Sequence, residues 1–168
     1  IKTIGVVMLG IAIMFLVLFR SVTLAIIGIL PNLLGAAVVL GVMGWAEIPM
    51  DMMTITIAAI TIGIAVDHTI HYIHRLKREF ATCPNYRSVV IRCHGSIGRA
   101  IYYTAITVTA GFSILTLSNF IPSLYFGLLT GVAMMVALLN NLTLLPLLIF
   151  VFKPLGPEVS EEAAPLTP

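Results

Sequence analysis

Apolar positions in this chain come in long unbroken runs, not in the alternation of strands or the one-sided stripes of soluble helices. No Asp, Glu, Lys or Arg falls between Thr3 and Phe19, between Ser21 and Ala46, or between Met52 and Val66. From Ala100 to Phe152 there is none for 53 residues. As a helix rising about 1.5 Å per residue, that last run would extend roughly 80 Å against a hydrocarbon core of about 30 Å, so it folds back on itself. The polar, Pro-containing stretch Asn119-Phe120-Ile121-Pro122-Ser123 marks the break. Five spans follow, at about Ile4–Phe19, Val22–Trp45, Met52–His74, Ile101–Ser118 and Tyr125–Phe152. Transmembrane barrels need short alternating strands, which these continuous runs exclude. The pattern predicts an all-α polytopic membrane protein: a five-helix transmembrane bundle over residues 1–156 and a disordered tail over 157–168, rich in Pro and Glu.

Composition agrees. Hydrophobic residues make up 60% of the chain and charged residues 10%, with a mean hydropathy of +1.10, which excludes both an ordinary soluble domain and a disordered one. Charge position then adds orientation. Eight of the nine basic residues (Arg20, Arg75, Lys77, Arg78, Arg87, Arg92, Arg99 and Lys153) fall on one side of the predicted spans, and only Lys2 falls on the other. The positive-inside rule puts the first side, and with it the C-terminus, in the cytoplasm. The net charge of +2 therefore reflects topology and does not point to a nucleic-acid partner. An N-terminus outside, with no initiator Met or signal peptide, suggests a piece of a longer protein.

Between the third and fourth spans, Pro84 to Arg99 suggests a helix lying on the membrane surface, basic residues toward headgroups and Val89, Val90, Cys93 and Ile97 toward the acyl boundary. Cys83 and Cys93 lie in this cytoplasmic segment and read as free thiols, since a zinc site would need His94 and a fourth ligand. Pro31 and Pro146 sit inside spans and free carbonyls that need a partner. Asn140-Asn141, midway along the fifth span, must bond across helices or line a cavity. Gly127 and Gly131 form a GxxxG pair suited to close helix contact.

One residue stands out chemically. Asp67 is the only acidic or basic residue well inside a span, where a charge costs on the order of 2.5–3.5 kcal/mol. It lies seven residues before His74, about 10 Å from the cytoplasmic end, too deep for its short side chain to reach water. Such a group faces a bundle interior and carries function, here the uptake and release of protons. His71 and His74 share its helical face, while His68 is rotated about 100° away. Imidazoles extend a proton path toward the cytoplasm, or serve as interfacial side chains beside Tyr72. Thr104 and Thr107 on the fourth span, with Tyr103 near its start, are candidate hydrogen-bonding partners of Asp67. Iron or zinc bound by His68, His71 and His74 is a weaker reading, because membrane di-iron sites need more clusters than four histidines provide. No cofactor and no enzymatic chemistry is expected.

The stretch Gly63-Ile-Ala-Val-Asp67-His68-Thr-Ile-His71-Tyr72-Ile-His74-Arg75 resembles the resistance-nodulation-division (RND) superfamily, in particular the hydrophobe and lipid exporters related to the MmpL proteins. It is also similar to the sterol-sensing domain of Patched-like proteins. Leu30-Pro31-Asn32, Pro49-Met-Asp51-Met-Met-Thr-Ile-Thr-Ile, Gly95-Ser-Ile-Gly98-Arg99-Ala-Ile and Gly127-Leu-Leu-Thr-Gly131 agree, so that the resemblance runs to about Gly156. It implies the last five helices of an exporter whose N-terminal half and extracytoplasmic domain lie outside this chain, in an oligomer embedded in the inner membrane of a bacterium. It further implies proton-driven export of lipid or hydrophobic substrates, with Asp67 as the relay acid. His68 stands where many members have Asp or Tyr and is, with Asp67 and His71, a candidate for the proton relay, and Asn140-Asn141 replaces small apolar residues. A lipid-sensing module that moves nothing is the alternative.

Overall fold

The structure, a computed structural model, describes residues 2–48 and 52–157. The expected disordered tail lies outside them, apart from residue 157. Among the described residues there are helices joined by short turns and no strands: α1 (Lys2–Phe19), α2 (Val22–Trp45), α3 (Met52–Thr82), α4 (Tyr86–Cys93), α5 (Arg99–Ser113), α6 (Ile121–Leu139) and α7 (Leu145–Phe152). π-helical turns at His94–Gly98 and Asn140–Leu144 join α4 to α5 and α6 to α7, so five helical rods result. Four are long and apolar enough to cross a membrane, Val22–Trp45, Ile55–Thr82, Tyr86–Leu117 and Ile121–Phe152, and Gly5–Phe19 is a shorter apolar helix.

Local sequence sets the boundaries. Ser21 and Asn85 cap α2 and α4, accepting from the amides of Leu24 and Ser88. Arg20 and Lys153 end their helices with φ of 49° and 42°, the left-handed turn common after a C-terminus. The last rod begins at Ile121 instead of Tyr125, because Pro122 suits the first helical turn, where no amide proton is needed.

The third and fourth helices depart from expectation. α3 runs on to Thr82, and α4 rises beside it as the direct extension of the fourth span, not as a separate surface helix. The physical reason is the destination of its apolar face. Tyr86, Val89, Val90 and Cys93 recur at i, i+3, i+4 and i+7 and are buried against the core that includes Tyr72, Ile73 and Leu76, while Ile97 is half-buried. Their partner is protein, not lipid. The Tyr86 hydroxyl donates to Gly156 O (3.1 Å) and accepts from the amide of Leu155 (2.9 Å), and Lys77 Nζ donates to Phe19 O (3.2 Å). These contacts gather the C-terminal ends of α1, α3 and α7 at one end, the basic end.

α2 packs on α1, α3 and α6, α3 on α6, and α5 along α6. The GxxxG pair lies in this last seam. A Cβ on Gly127 would come 2.5 Å from Phe112 O and 2.9 Å from Leu115 Cβ. One on Gly131 would meet Thr109 Cγ2 at an ordinary 3.6 Å, so close approach depends on Gly127.

Candidate functional site

α3 is divided lengthwise. One face carries Thr61, Ala65, His68, Thr69, Tyr72, Ile73 and Leu76, all buried against neighbouring helices. The other carries Gly63, Asp67, His71, His74 and Arg78, spaced by three or four residues and all exposed. His71 Nε2 lies 3.4 Å from Asp67 Oδ1, with 61% and 65% of the two side chains exposed. The five-helix unit thus brings Asp67 and His71 together one helical turn apart, on an outward-facing stripe.

This differs from a carboxyl facing the interior of these five helices. The buried face of α3 is taken by α2, α4 and α6, so the polar stripe points away from them. Thr104, Thr107 and Tyr103 do not reach Asp67. Thr104 Oγ1 donates instead to Ala100 O (2.9 Å), Thr107 is exposed, and Tyr103 meets Tyr102 edge-on at 5.7 Å. Their helix packs along α6, with the hydroxyls turned outward. His68 is 5% exposed, on the buried face of α3 about 100° around the helix from Asp67, and its Nδ1 has no hydrogen-bond partner. Among the described residues no three His, Cys, Asp or Glu side chains converge as metal ligands.

The buried side of α3 carries a polar seam of which the sequence marked only the asparagine pair and the prolines. Thr69 Oγ1 lies 2.7 Å from Asn141 Oδ1 and 2.9 Å from Ala65 O, sharing its proton between them, and accepts from Asn32 Nδ2 (3.2 Å). Asn141 Nδ2 donates to Ala137 O (3.1 Å), and Asn140 Nδ2 reaches across to Pro31 O (3.2 Å). The two amides therefore bond across helices, tying α2, α3 and α6 around the midpoint of the bundle.

His94 closes a second junction. In an α-helical ladder Leu142 O would accept from residue 146, which is proline and has no amide proton. His94 Nε2 lies 2.9 Å from that carbonyl and Nδ1 3.0 Å from Val90 O; a neutral ring has one N–H, and it is assigned to Leu142 O, because Val90 O already accepts the backbone amide of His94. The neutral ring then has Nδ1 free to accept from the Tyr72 hydroxyl at 3.2 Å. The proline was visible in the sequence as a source of a free carbonyl. Its donor, 48 residues earlier, was not.

The chain is thus a membrane-spanning helical unit with an ionisable stripe on its third rod and a Gly-tight seam between its fourth and fifth. A family model described as the MMPL family matches residues 1–162. The chain belongs to the MMPL family. It is 29% identical over 144 residues to the membrane protein MJ1562 of Methanocaldococcus jannaschii, covering 86% of this chain and 37% of that protein. It is 31% identical over 137 residues to the hopanoid transporter HpnN of Burkholderia multivorans, covering 78% of this chain and 15% of that protein. The chain thus spans well under half the length of either relative. No solved structure matches it.

Proposed function

We propose that this chain is the C-terminal membrane module of a proton-driven exporter of lipids or other hydrophobic compounds, with Asp67 as the proton relay and His71 extending its path. The observation that carries the reading is the Asp67–His71 pair, exposed together on the outer face of α3. Hydrocarbon is a poor neighbour for a carboxylate and an imidazole, so in the membrane the Asp67–His71 level of the stripe is covered by more protein, while His74 and Arg78 lie beyond it toward the basic end. The short coverage of the relatives supplies a candidate, an N-terminal half that meets this face and, with an extracytoplasmic domain, completes the transporter. Protonation of Asp67 from outside removes its charge and shifts the packing of the two halves, and release toward the cytoplasm resets them. His71 and His74 lie between Asp67 and the basic end, which the positive-inside rule assigns to the cytoplasm, with the C-terminus, in a bacterial inner membrane. His68, on the buried face of α3, acts in packing.

The test is export by the full-length protein. Asp67→Asn is expected to abolish export while leaving the protein in the membrane at its usual level. Undiminished export by that variant rejects the relay. A second reading has one observation in its favour, an apolar cleft of about 420 Å³ lined by Met52, Thr56, Leu115, Ser123 and Phe126 at the end opposite the basic one. Lipid held there by a module that moves nothing would persist in Asp67→Asn, with no proton flux in the intact protein.

A further inference from the structure

At the basic end, α1 and α3 enclose a cleft of about 400 Å³ lined by Leu18, Phe19, His74, Lys77 and Arg78. Its two walls differ in chemistry. The α1 wall is apolar, and the Leu18 side chain is 49% exposed beside it. The α3 wall presents an imidazole, an ammonium and a guanidinium within five residues.

The charges of that end are unequally neutralised. Glu79 is the one carboxylate there among the described residues, and it is taken by Arg75 at 2.7 Å and Arg92 at 3.7 Å. Lys77 is held by the carbonyl of Phe19, which orients its ammonium but cancels no charge. Arg78 and the neighbouring Arg20 have no carboxylate partner among the described residues, and both are exposed. The cleft therefore combines uncompensated positive charge with an apolar wall, at the depth where the spans leave the hydrocarbon.

We propose that this cleft binds the phosphate-bearing headgroup of an anionic phospholipid from the cytoplasmic leaflet, phosphate against Lys77, Arg78 and His74 and acyl chain along Leu18. A lipid fits better than a free anion, because a free phosphate leaves the apolar wall without a partner. Basic residues at such a surface attract anionic headgroups, and the guanidinium offers paired donors to phosphate oxygens. The site rests on the orientation proposed above, but not on the proton relay.

The test uses the full-length protein in detergent, with bound lipid counted by native mass spectrometry. Phosphatidylglycerol and phosphatidylcholine of matched acyl chains are compared. Phosphatidylglycerol is expected to bind about fivefold or more tightly than phosphatidylcholine, the scale of one basic residue near a lipid surface. Lys77→Gln/Arg78→Gln removes that preference while phosphatidylcholine binding stays constant. Arg87→Gln, which lies on α4 away from the cleft, and Asp67→Asn leave it intact, so failure of the relay and failure of the site are read separately. Equal binding of the two lipids, or an equal loss in Arg87→Gln, overturns the proposal. So does displacement of the lipid by inorganic phosphate alone, which assigns the cleft to a free anion. Because the double variant tests folding as well as charge, a photoactivatable phosphatidylglycerol provides a second measurement on the unaltered protein. Crosslinks are expected on the peptides holding Leu18 or His74 to Arg78, and crosslinking confined to other helices overturns the site.

Discussion

The junction at His94 yields a prediction whose size follows from the geometry. His94→Ala removes the donor to Leu142 O, lying 2.9 Å away, and the acceptor of the Tyr72 hydroxyl. Hydrogen bonds between membrane helices average about 0.6 kcal/mol and reach about 1.7 kcal/mol. A carbonyl left without any donor costs more, about 1–3 kcal/mol, because Pro146 cannot supply the donor that an ordinary helix would. His94→Ala is thus expected to destabilise the fold by about 2 kcal/mol. Pro146→Ala restores an amide proton one turn along from Leu142, so His94→Ala in that background is expected to cost about 1 kcal/mol. The coupling of about 1 kcal/mol is measurable by a double-mutant cycle. Unfolding by SDS in mixed micelles, followed by far-UV circular dichroism, reads each corner. Conservative rescue completes the test, since the Gln side chain in His94→Gln retains an N–H donor and is expected to recover part of the loss. An equal cost for His94→Ala in both backgrounds would refute the reasoning, showing that the histidine packs there without serving the carbonyl.

Other predictions concern packing. Gly127→Ala places a methyl 2.5 Å from Phe112 O, a backbone atom that cannot step aside without moving the helix, so about 2–3 kcal/mol of stability is expected to be lost in the same unfolding assay. Gly131→Ala, at 3.6 Å from a side-chain methyl, is expected to be close to neutral. Thr69→Val breaks the three-way junction with Asn32 and Asn141 and is expected to cost about 1–2 kcal/mol, with Asn141→Leu costing less in that background than alone. Cys83 is half-buried and Cys93 buried, so a maleimide is expected to label Cys83 in the native protein and Cys93 only after SDS unfolding. Equal labelling of both would contradict the packing of α4 against α3.

The five-helix character was legible because hydrophobic runs interrupted by few charges leave a chain no other stable form in lipid. The turn at Asn119 and the GxxxG seam were legible for equally local reasons, a proline where a helix can start and glycines one turn apart. The nature of α4 was not. Val89, Val90 and Cys93 form an apolar stripe whether it meets acyl chains or Tyr72, Ile73 and Leu76, and periodicity carries no information about which. The partners assigned to Asp67 failed for a related reason. Thr104 and Thr107 have the right chemistry at a helical spacing, but which face of their helix meets which neighbour depends on packing, and Gly127 draws that helix onto α6. Asp67 and His71 were placed on one face correctly, since that follows from helix geometry alone. The chain's own helices leave this face open, a property of the whole arrangement that no single segment encodes.

The central claim is that Asp67 carries protons. Its most direct test is substrate-dependent proton flux in proteoliposomes reconstituted with the full-length protein, read by a pH-sensitive dye under an imposed pH gradient. The unaltered protein is expected to move protons when a hydrophobic substrate is supplied, and Asp67→Asn to move none above the rate of empty vesicles. Flux through Asp67→Asn equal to that of the unaltered protein would contradict the account.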